Sequence, residues 1–157
     1  MAKFKKLNQD QFISGGQGEA YIDVNGQRYS LGSAKELEAT IDKDKADISI
    51  LGGTGKIHKT TSWNGTGSMT LYYNQSLFRR LTIEYIKTGK DFYFDIIITN
   101  EDEGSILGRE TKILRNCNLD SVVIAKIATE DEVLEEDMDF TFDDVDMPEM
   151  FTDDVLF

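Results

Sequence analysis

The segment over residues 91–100 sets the strictest limit on the fold, because both faces of a strand built from it are largely apolar. Neighbouring side chains on a strand point to opposite sides. One side would carry Phe92, Phe94, Ile96 and Ile98, and the other Tyr93, Asp95, Ile97 and Thr99. A strand of this kind needs cover on both faces. The segment therefore predicts a β-rich fold in which this strand is packed between other elements.

Turn and alternation signals elsewhere predict further strands. Asn25 and Gly26 supply the two positive-φ positions of a type I′ turn, so residues 20–31 form the clearest predicted hairpin. Apolar and polar residues also alternate over residues 62–73, 109–116, 119–128 and 137–143. These segments predict a mainly β protein, a two-sheet antiparallel β-sandwich or barrel with one flanking α-helix.

The flanking helix is predicted directly after the strand over residues 62–73. Asn74 can cap its start, and Gly89 can end it. Its apolar side chains recur at spacings that share one face: Leu77, Phe78, Leu81, Tyr85 and Ile86.

Residues 33–51 fit two periods at once. Leu37, Ala39 and Ile41 follow a strand period, whereas Leu37, Ile41, Ile48 and Leu51 also mark a helical spacing. The middle of the segment is charged and too polar for a core. It predicts a projecting element, either a long hairpin or a loop that contains a helix.

The charge of the chain is concentrated at one end. The 157 residues carry a net charge of −12, and residues 129–157 hold 13 acidic residues and no basic one. This length suits a single domain over residues 1–157, with a polar N-terminal arm over residues 1–18 and an acidic C-terminal end over residues 144–157. The charge argues against nucleic acid as a bound partner, because phosphate binding needs clustered Lys and Arg.

Motifs that could carry chemistry are incomplete. The glycine run over residues 51–56 fails as a phosphate loop, since Ile57 stands where that motif needs Ser or Thr. His58 is the only histidine, so no histidine pair can bind zinc, and Cys117 can form no intramolecular disulfide. Residues 143–146 lack the glycine and the later glutamate of an EF-hand loop. The sequence predicts no enzyme, no cofactor and no metal site.

Targeting signals are missing from the sequence as given. Residues 1–8 are basic but lack the apolar stretch of a signal peptide, and no run reaches the roughly 18 apolar residues of a membrane span. We expect synthesis in a reducing cytoplasm, with release by lysis for any extracellular role.

An amphipathic strand is predicted over residues 137–143. Its apolar face carries Met138, Phe140 and Phe142, and its polar face carries Asp137, Asp139, Thr141 and Asp143. In a single copy this polar face is simply solvated. Repeated around a ring, it would form a belt of carboxylates.

Several motifs, in order along nearly the whole chain, resemble those of the XkdM-type tail tube proteins of contractile phages, defective prophages and phage-tail-like bacteriocins. They are GEAY at 18–21, KELEA at 35–39, SWNGTGSMTLYY at 62–73, YIKTGKD at 85–91, TNED at 99–102, NCNLDS at 116–121 and LEEDMDFTF at 134–142. None of these motifs is a chemical signature.

The resemblance implies a non-enzymatic subunit of the inner tail tube. Such subunits form hexameric rings whose inner sheets merge into one channel wall, and the rings stack inside a contractile sheath. The implied partners are further copies of the chain and the sheath, baseplate and tail terminator proteins, with DNA passing through unbound. The implied location is the virion tail or a phage-tail-like particle, made in the bacterial cytoplasm and released by lysis.

Two groups of residues are the expected contact sites. The projecting segment would contact the adjoining subunit through Lys35, Glu36, Glu38, Asp42, Lys43, Lys45 and Asp47. The acidic face of Asp137, Asp139 and Asp143 would face either the channel or the sheath. The main alternative is a small-ligand-binding β-barrel with the glycine loop as a lid. An acidic mimic of DNA is a further alternative.

Overall fold

A computed structural model describes residues 18–32, 34–101, 104, 106–130 and 133–151. Their elements, in chain order, are β1 (Gly18–Val24), β2 (Gln27–Ser30), β3 (Ala34–Ser49), β4 (Lys56–Tyr72), α1 (Leu77–Thr88), β5 (Phe94–Glu101), β6 (Arg109–Leu119), β7 (Glu135–Phe142) and β8 (Asp144–Glu149). Eight strands with one helix confirm the predicted mainly β class. Apart from Gly18, the predicted N-terminal arm lies outside the described residues.

The chain divides into two compact units. One comprises residues 1–32, 93–116 and 145–157, and the other comprises residues 33–92 and 117–144. The strand β6 therefore contributes its first part to one unit and its last residues to the other. The single domain expected over residues 1–157 stays a prediction.

The first unit contains the predicted hairpin. Its strands follow the order β2, β1, β5, β6, and β8 also pairs with β6. Val24 lies opposite Gln27, and the turn residues Asn25 and Gly26 have φ angles of 52° and 77°. The positive angles at both positions confirm the turn that the sequence predicts.

The strand β5 is buried mainly on one face. Phe94 and Ile96 are 2% and 0% exposed, whereas Asp95, Ile97 and Thr99 on the other face are half-buried. Asp95 accepts hydrogen bonds from the Arg115 guanidinium and from the Asn116 backbone N–H, each at 3.1 Å. The half-buried carboxylate of Asp95 therefore has hydrogen-bond partners, as a half-buried polar group requires.

The second unit is a sheet with the order β3, β4, β7, closed at one side by the last residues of β6. β4 and β7 pair antiparallel from Gly65 opposite Phe142 to Tyr72 opposite Glu135. The apolar side of β7 is buried as predicted, with Met138, Phe140 and Phe142 at most 4% exposed. The polar side chains Asp137 and Asp139 are exposed.

Two glycines of β4 make this packing possible. Gly65 and Gly67 lie opposite Phe142 and Phe140, and the aromatic rings lie directly against the glycine backbone. A Cβ atom added to Gly67 would come within 2.3 Å of Cζ of Phe140, and one added to Gly65 within 2.5 Å of the Phe142 ring. No larger residue fits at either position without displacing a ring.

The helix α1 begins later and with a different cap than the sequence predicts. Ser76 occupies the cap position without a capping hydrogen bond, and the Leu77 N–H donates to Oε1 of Gln75 at 2.9 Å. The prediction of an Asn74 cap is wrong, because the longer Gln75 side chain reaches the free amide of the first turn. Gly89, at φ 76°, ends the helix as predicted.

The predicted strand over residues 119–128 is wrong beyond Leu119, because residues 120–128 form no strand. Their apolar pattern is misleading, since Ile124 and Ile127 are 51% and 94% exposed.

The strand β8 lies within the acidic C-terminal end, where the sequence analysis predicts no strand. Ion pairs join it to β6, with Arg115 Nε 3.0 Å from Asp146 and Arg109 Nε 2.6 Å from Glu149.

A buried ion pair connects α1 to β7. Glu136 is 2% exposed, accepts a hydrogen bond from Gln75 Nε2 at 2.6 Å and forms an ion pair with Arg79. The Arg79 guanidinium also donates to the Gln75 carbonyl and lies 4.2 Å from the centroid of the Tyr73 ring. Removing one partner would leave the other charge buried and unpaired, which is costly in a protein interior.

We predict that Arg79→Ala lowers the free energy of unfolding by about 3–5 kcal/mol, the usual cost of breaking a buried ion pair. Arg80→Ala is the matched control, because Arg80 lies next to Arg79 on the same helix and is exposed. Urea unfolding of both variants measures the difference. Equal transition midpoints for the two variants would show that the Glu136 pair does not hold the helix.

Candidate assembly surfaces

The projecting segment is a long hairpin that extends past the sheet. β3 and β4 pair without a third strand beyond the point where β7 ends, at Gly65 opposite Phe142. We call residues 42–64 the ribbon; all of its residues are exposed. The hairpin alternative for residues 33–51 is thus correct and the helix-containing loop is wrong, with residue 33 outside the described part.

The tip of the ribbon is apolar. Ile48 lies opposite Ile57, and these side chains are 43% and 51% exposed. Ile50 is 48% exposed, and Leu51 at the turn is fully exposed. The glycine run that follows forms the turn of the hairpin, with Gly52 at φ 82°. An exposed apolar cluster at the end of a two-stranded ribbon is typical of a surface that another molecule covers.

The residues predicted to contact a neighbouring subunit occupy two places in the structure. Asp42, Lys43, Lys45 and Asp47 lie in the ribbon, whereas Lys35, Glu36 and Glu38 lie where β3 joins the sheet. Lys35 Nζ is 2.9 Å from Glu135 Oε1 of the same chain, and this hydrogen bond raises the pKa of Lys35 above its ordinary value. The pair is exposed, so its contribution to stability is small.

Carboxylates flank hydroxyl side chains on the polar face of the second sheet. The strand register aligns Glu36, Thr70 and Asp137 in one row across β3, β4 and β7. The next row contains Glu38, Ser68 and Asp139. Thr70 Oγ1 donates to Asp137 Oδ1 at 2.7 Å. We call these two rows the acidic face.

The acidic face contains a depression of about 420 Å³. Its lining includes Glu38, Ser68, Asp120 and Asp139. Asp120 joins the face because its backbone N–H donates to the Asp139 carbonyl at 2.8 Å. Asp143, predicted to share this face, lies one residue beyond β7 at the bend into β8 and is exposed.

His58 and Cys117 lie in opposite environments, one exposed and the other buried. His58 lies on the exposed ribbon opposite Asp47, with 2.5 Å between Nδ1 and Oδ1. Cys117 is fully buried. Within the described ranges, no three His, Cys, Asp or Glu side chains form a group that could hold a metal ion.

No described helix is long and apolar enough to cross a membrane.

The outer surface of α1 is a second exposed apolar area. Phe78 and Leu81 are buried, but Tyr85 and Ile86, predicted to share their face, are 42% and 66% exposed. Ile83 is 45% exposed. The helical period alone does not distinguish these exposed positions from the buried ones.

Comparison with known proteins identifies relatives of this chain. A family model described as phage tail tube protein matches residues 5–149. The phage-like element PBSX protein XkdM of Bacillus subtilis is 37% identical over 147 residues, which cover 94% of this chain and 97% of that protein.

Two solved structures contain chains with a similar fold. A chain of the anti-feeding prophage baseplate gives a TM-score of 0.64 at 12% identity, covering 83% of this chain and 91% of that one. A chain of the PVC extracellular contractile injection system, from its sheath–tube complex, gives a TM-score of 0.57 at 13% identity, with 83% and 88% coverage.

We predict that the ribbon is the least protected strand pair of the isolated subunit. Amide hydrogens over residues 42–49 and 56–64 should exchange about tenfold or more faster than those over residues 66–72, because an isolated two-stranded ribbon is marginally stable. Hydrogen–deuterium exchange on the monomer measures this, with the covered half of β4 as the internal control. Equal protection along all of β4 would contradict the prediction.

Proposed function

Because this chain belongs to the phage tail tube protein family, we propose that it is the structural subunit of the inner tube of a contractile tail or phage-tail-like particle. In this proposal it forms hexameric rings that stack around a central channel. Its partners are further copies of the chain and the sheath, baseplate and terminator proteins. The subunit is made in the bacterial cytoplasm, released by lysis and has no catalytic role.

The ribbon is the observation that carries the proposal. It extends past β7, both of its faces are exposed, and its tip presents Ile48, Ile57 and Leu51 to solvent. Burying apolar surface releases about 25 cal/mol per Å², so contact with a neighbouring copy would stabilise both the ribbon and the ring. The contact residues in this proposal are Lys35, Glu36, Glu38, Asp42, Lys43, Lys45 and Asp47.

The outer edge of β3 supports a closed ring. Among the described residues β3 pairs only with β4, and it is 16 residues long. A long free edge exposes backbone donors and acceptors to any other strand. A closed ring of identical subunits removes such edges, because each copy covers the next. Several charged side chains along β3 would select the correct neighbour over random pairing.

The acidic face fits the channel wall. Its carboxylates are exposed and alternate with hydroxyls, and six copies in a ring would form a belt of negative charge. Such a belt repels DNA phosphates, so a passing genome slides without binding. In the alternative arrangement, the acidic residues Asp137, Asp139 and Asp143 face outward and bind a basic segment of the sheath.

Assembly of the purified chain is the first test. Electron microscopy and sedimentation velocity at increasing protein concentration should show rings or tubes of uniform width with six-fold symmetry. The ligand-binding alternative predicts a monomer under all conditions. A strictly monomeric chain across protein concentration and salt, also when mixed with the cognate baseplate as nucleus, would overturn the proposal.

Charge reversal on the acidic face is the second test. We predict that Asp137→Lys with Asp139→Lys leaves tube formation intact but slows DNA release from triggered particles, because the belt then attracts phosphate. Glu130→Lys is the control, since Glu130 is exposed outside the acidic face. Time-resolved DNA release measures the effect. Normal release together with failed sheath assembly would support the outward arrangement instead.

A further inference from the structure

The register of the ribbon sorts its charged side chains onto two faces. Residues that lie opposite each other on paired strands share a face, and every second residue follows on the same side. Lys43 lies opposite Trp63, Lys45 opposite Thr60, and Lys56 opposite Ser49. Positions 43, 45 and 49 of β3 are separated by even steps. The three lysines therefore share one side, which we call the lysine face; Asp47 and His58 form a pair on it.

The opposite face of the ribbon is different in chemistry. Asp42 lies opposite Asn64 and Asp44 opposite Ser62, whose hydroxyl donates to Asp44 Oδ2 at 2.8 Å. Farther out this face carries Ile48 opposite Ile57, and a single lysine, Lys59, opposite Ala46. The basic charge of the ribbon is thus concentrated on one side, because Asp and Lys alternate over residues 42–45 and a strand places alternate residues on opposite faces.

We propose that the lysine face docks on the acidic corner of a second copy of this chain, formed by Asp143 and Asp144 at the bend between β7 and β8. This inference rests on the proposed function and names the contact through which neighbouring subunits recognise each other. It assigns Asp143 to the contact between copies and leaves Asp137 and Asp139 to the channel.

Charge complementarity selects this partner. Lys43, Lys45 and Lys56 form no ion pair with any residue that the structure describes, and all three are exposed. The acidic surplus of the chain lies entirely in residues 129–157. A cationic face and an anionic stretch on the same chain make each copy complementary to the next.

The acidic corner contains an exposed carboxylate, Asp143, that is open to an external cation. Glu135, Asp146 and Glu149 are each paired with a Lys or Arg of their own chain. Asp143 makes no ion pair or hydrogen bond within the described residues, and Asp144 follows it directly and is exposed. At Asp143, a lysine of another molecule would therefore meet a carboxylate that has no ion pair among the described residues of its own chain.

Two of the three lysines, Lys45 and Lys56, lie too far along the ribbon to reach the corner of their own chain. The corner follows Phe142, which lies opposite Gly65, and Gly65 lies opposite Ile41. At about 3.3 Å per strand residue, Lys45 lies about 13 Å farther along the ribbon and the Lys56 rung about 26 Å farther. A contact between the corner and Lys45 or Lys56 must therefore come from another copy. A contact between two different surfaces is head-to-tail, the type that generates rings and stacks.

Zero-length cross-linking tests which atoms meet. Carbodiimide joins a lysine amine to a carboxylate only where the two are in direct contact, and an equal mixture of ¹⁵N-labelled and unlabelled chains marks links between copies. We expect mixed-isotope links from Lys43, Lys45 or Lys56 to Asp143 or Asp144, and none from Lys59. Tubes that form without such links, or with links to Lys59 at equal frequency, would overturn the inference and leave the proposed function standing.

A matched pair of variants tests the energetic role of the lysine face. Lys45→Glu and Lys59→Glu make the same charge change on neighbouring rungs of opposite faces. We expect Lys45→Glu to raise the concentration needed for assembly about tenfold or more, and Lys59→Glu to change it by less than about twofold. Lys45→Arg should assemble like the original chain. Equal effects of the two glutamate variants would contradict the proposed contact. Failure of the unmodified chain to assemble would contradict the proposed function itself.

Discussion

The contact between aromatic rings and glycine backbone in β4 and β7 is the constraint on which the second unit depends. Phe140 and Phe142 fit only where Gly67 and Gly65 lie opposite them, so a shift of one residue would place side chains where the rings must lie. The register of β4 on β7 is thereby fixed. β3 pairs with the other edge of β4, where Ile41 lies opposite Gly65 and Lys43 opposite Trp63, so the glycine-bearing face of β4 continues into the ribbon.

Much of the local structure could be predicted from the sequence, because it depends on neighbouring residues. Asn25 and Gly26 require a tight turn, Gly89 ends a helix, and the alternation over residues 137–143 gives one buried and one exposed face. The failures have tertiary causes. Residues 120–128 are apolar but have no strand to pair with, and β8 is polar yet is held by arginines that lie far away in sequence.

The candidate contact surfaces were predictable only in part. The sequence indicated that residues 33–51 project, and it located the acidic alternation of Asp137 and Asp139. It could not decide between hairpin and helix, because the charged middle of the segment has no core to select a period. Nor could it place Lys56 on the same face as Lys43 and Lys45, since that depends on which residue of β3 lies opposite each residue of β4.

The alternation of side chains, and not the bulge at Thr61, limits how such a ribbon can change during evolution. Pairing skips Thr61, whose hydroxyl donates to the Asp44 carbonyl at 3.1 Å, and thereby brings Thr60 opposite Lys45. Because side chains alternate with a period of two, insertion of a single residue in β3 would exchange the faces of every position beyond it. Insertion of two residues on each strand would lengthen the ribbon and preserve both faces. Related sequences can therefore differ in the length of the ribbon by two residues per strand. The lysine face and the opposite face then keep their side chains.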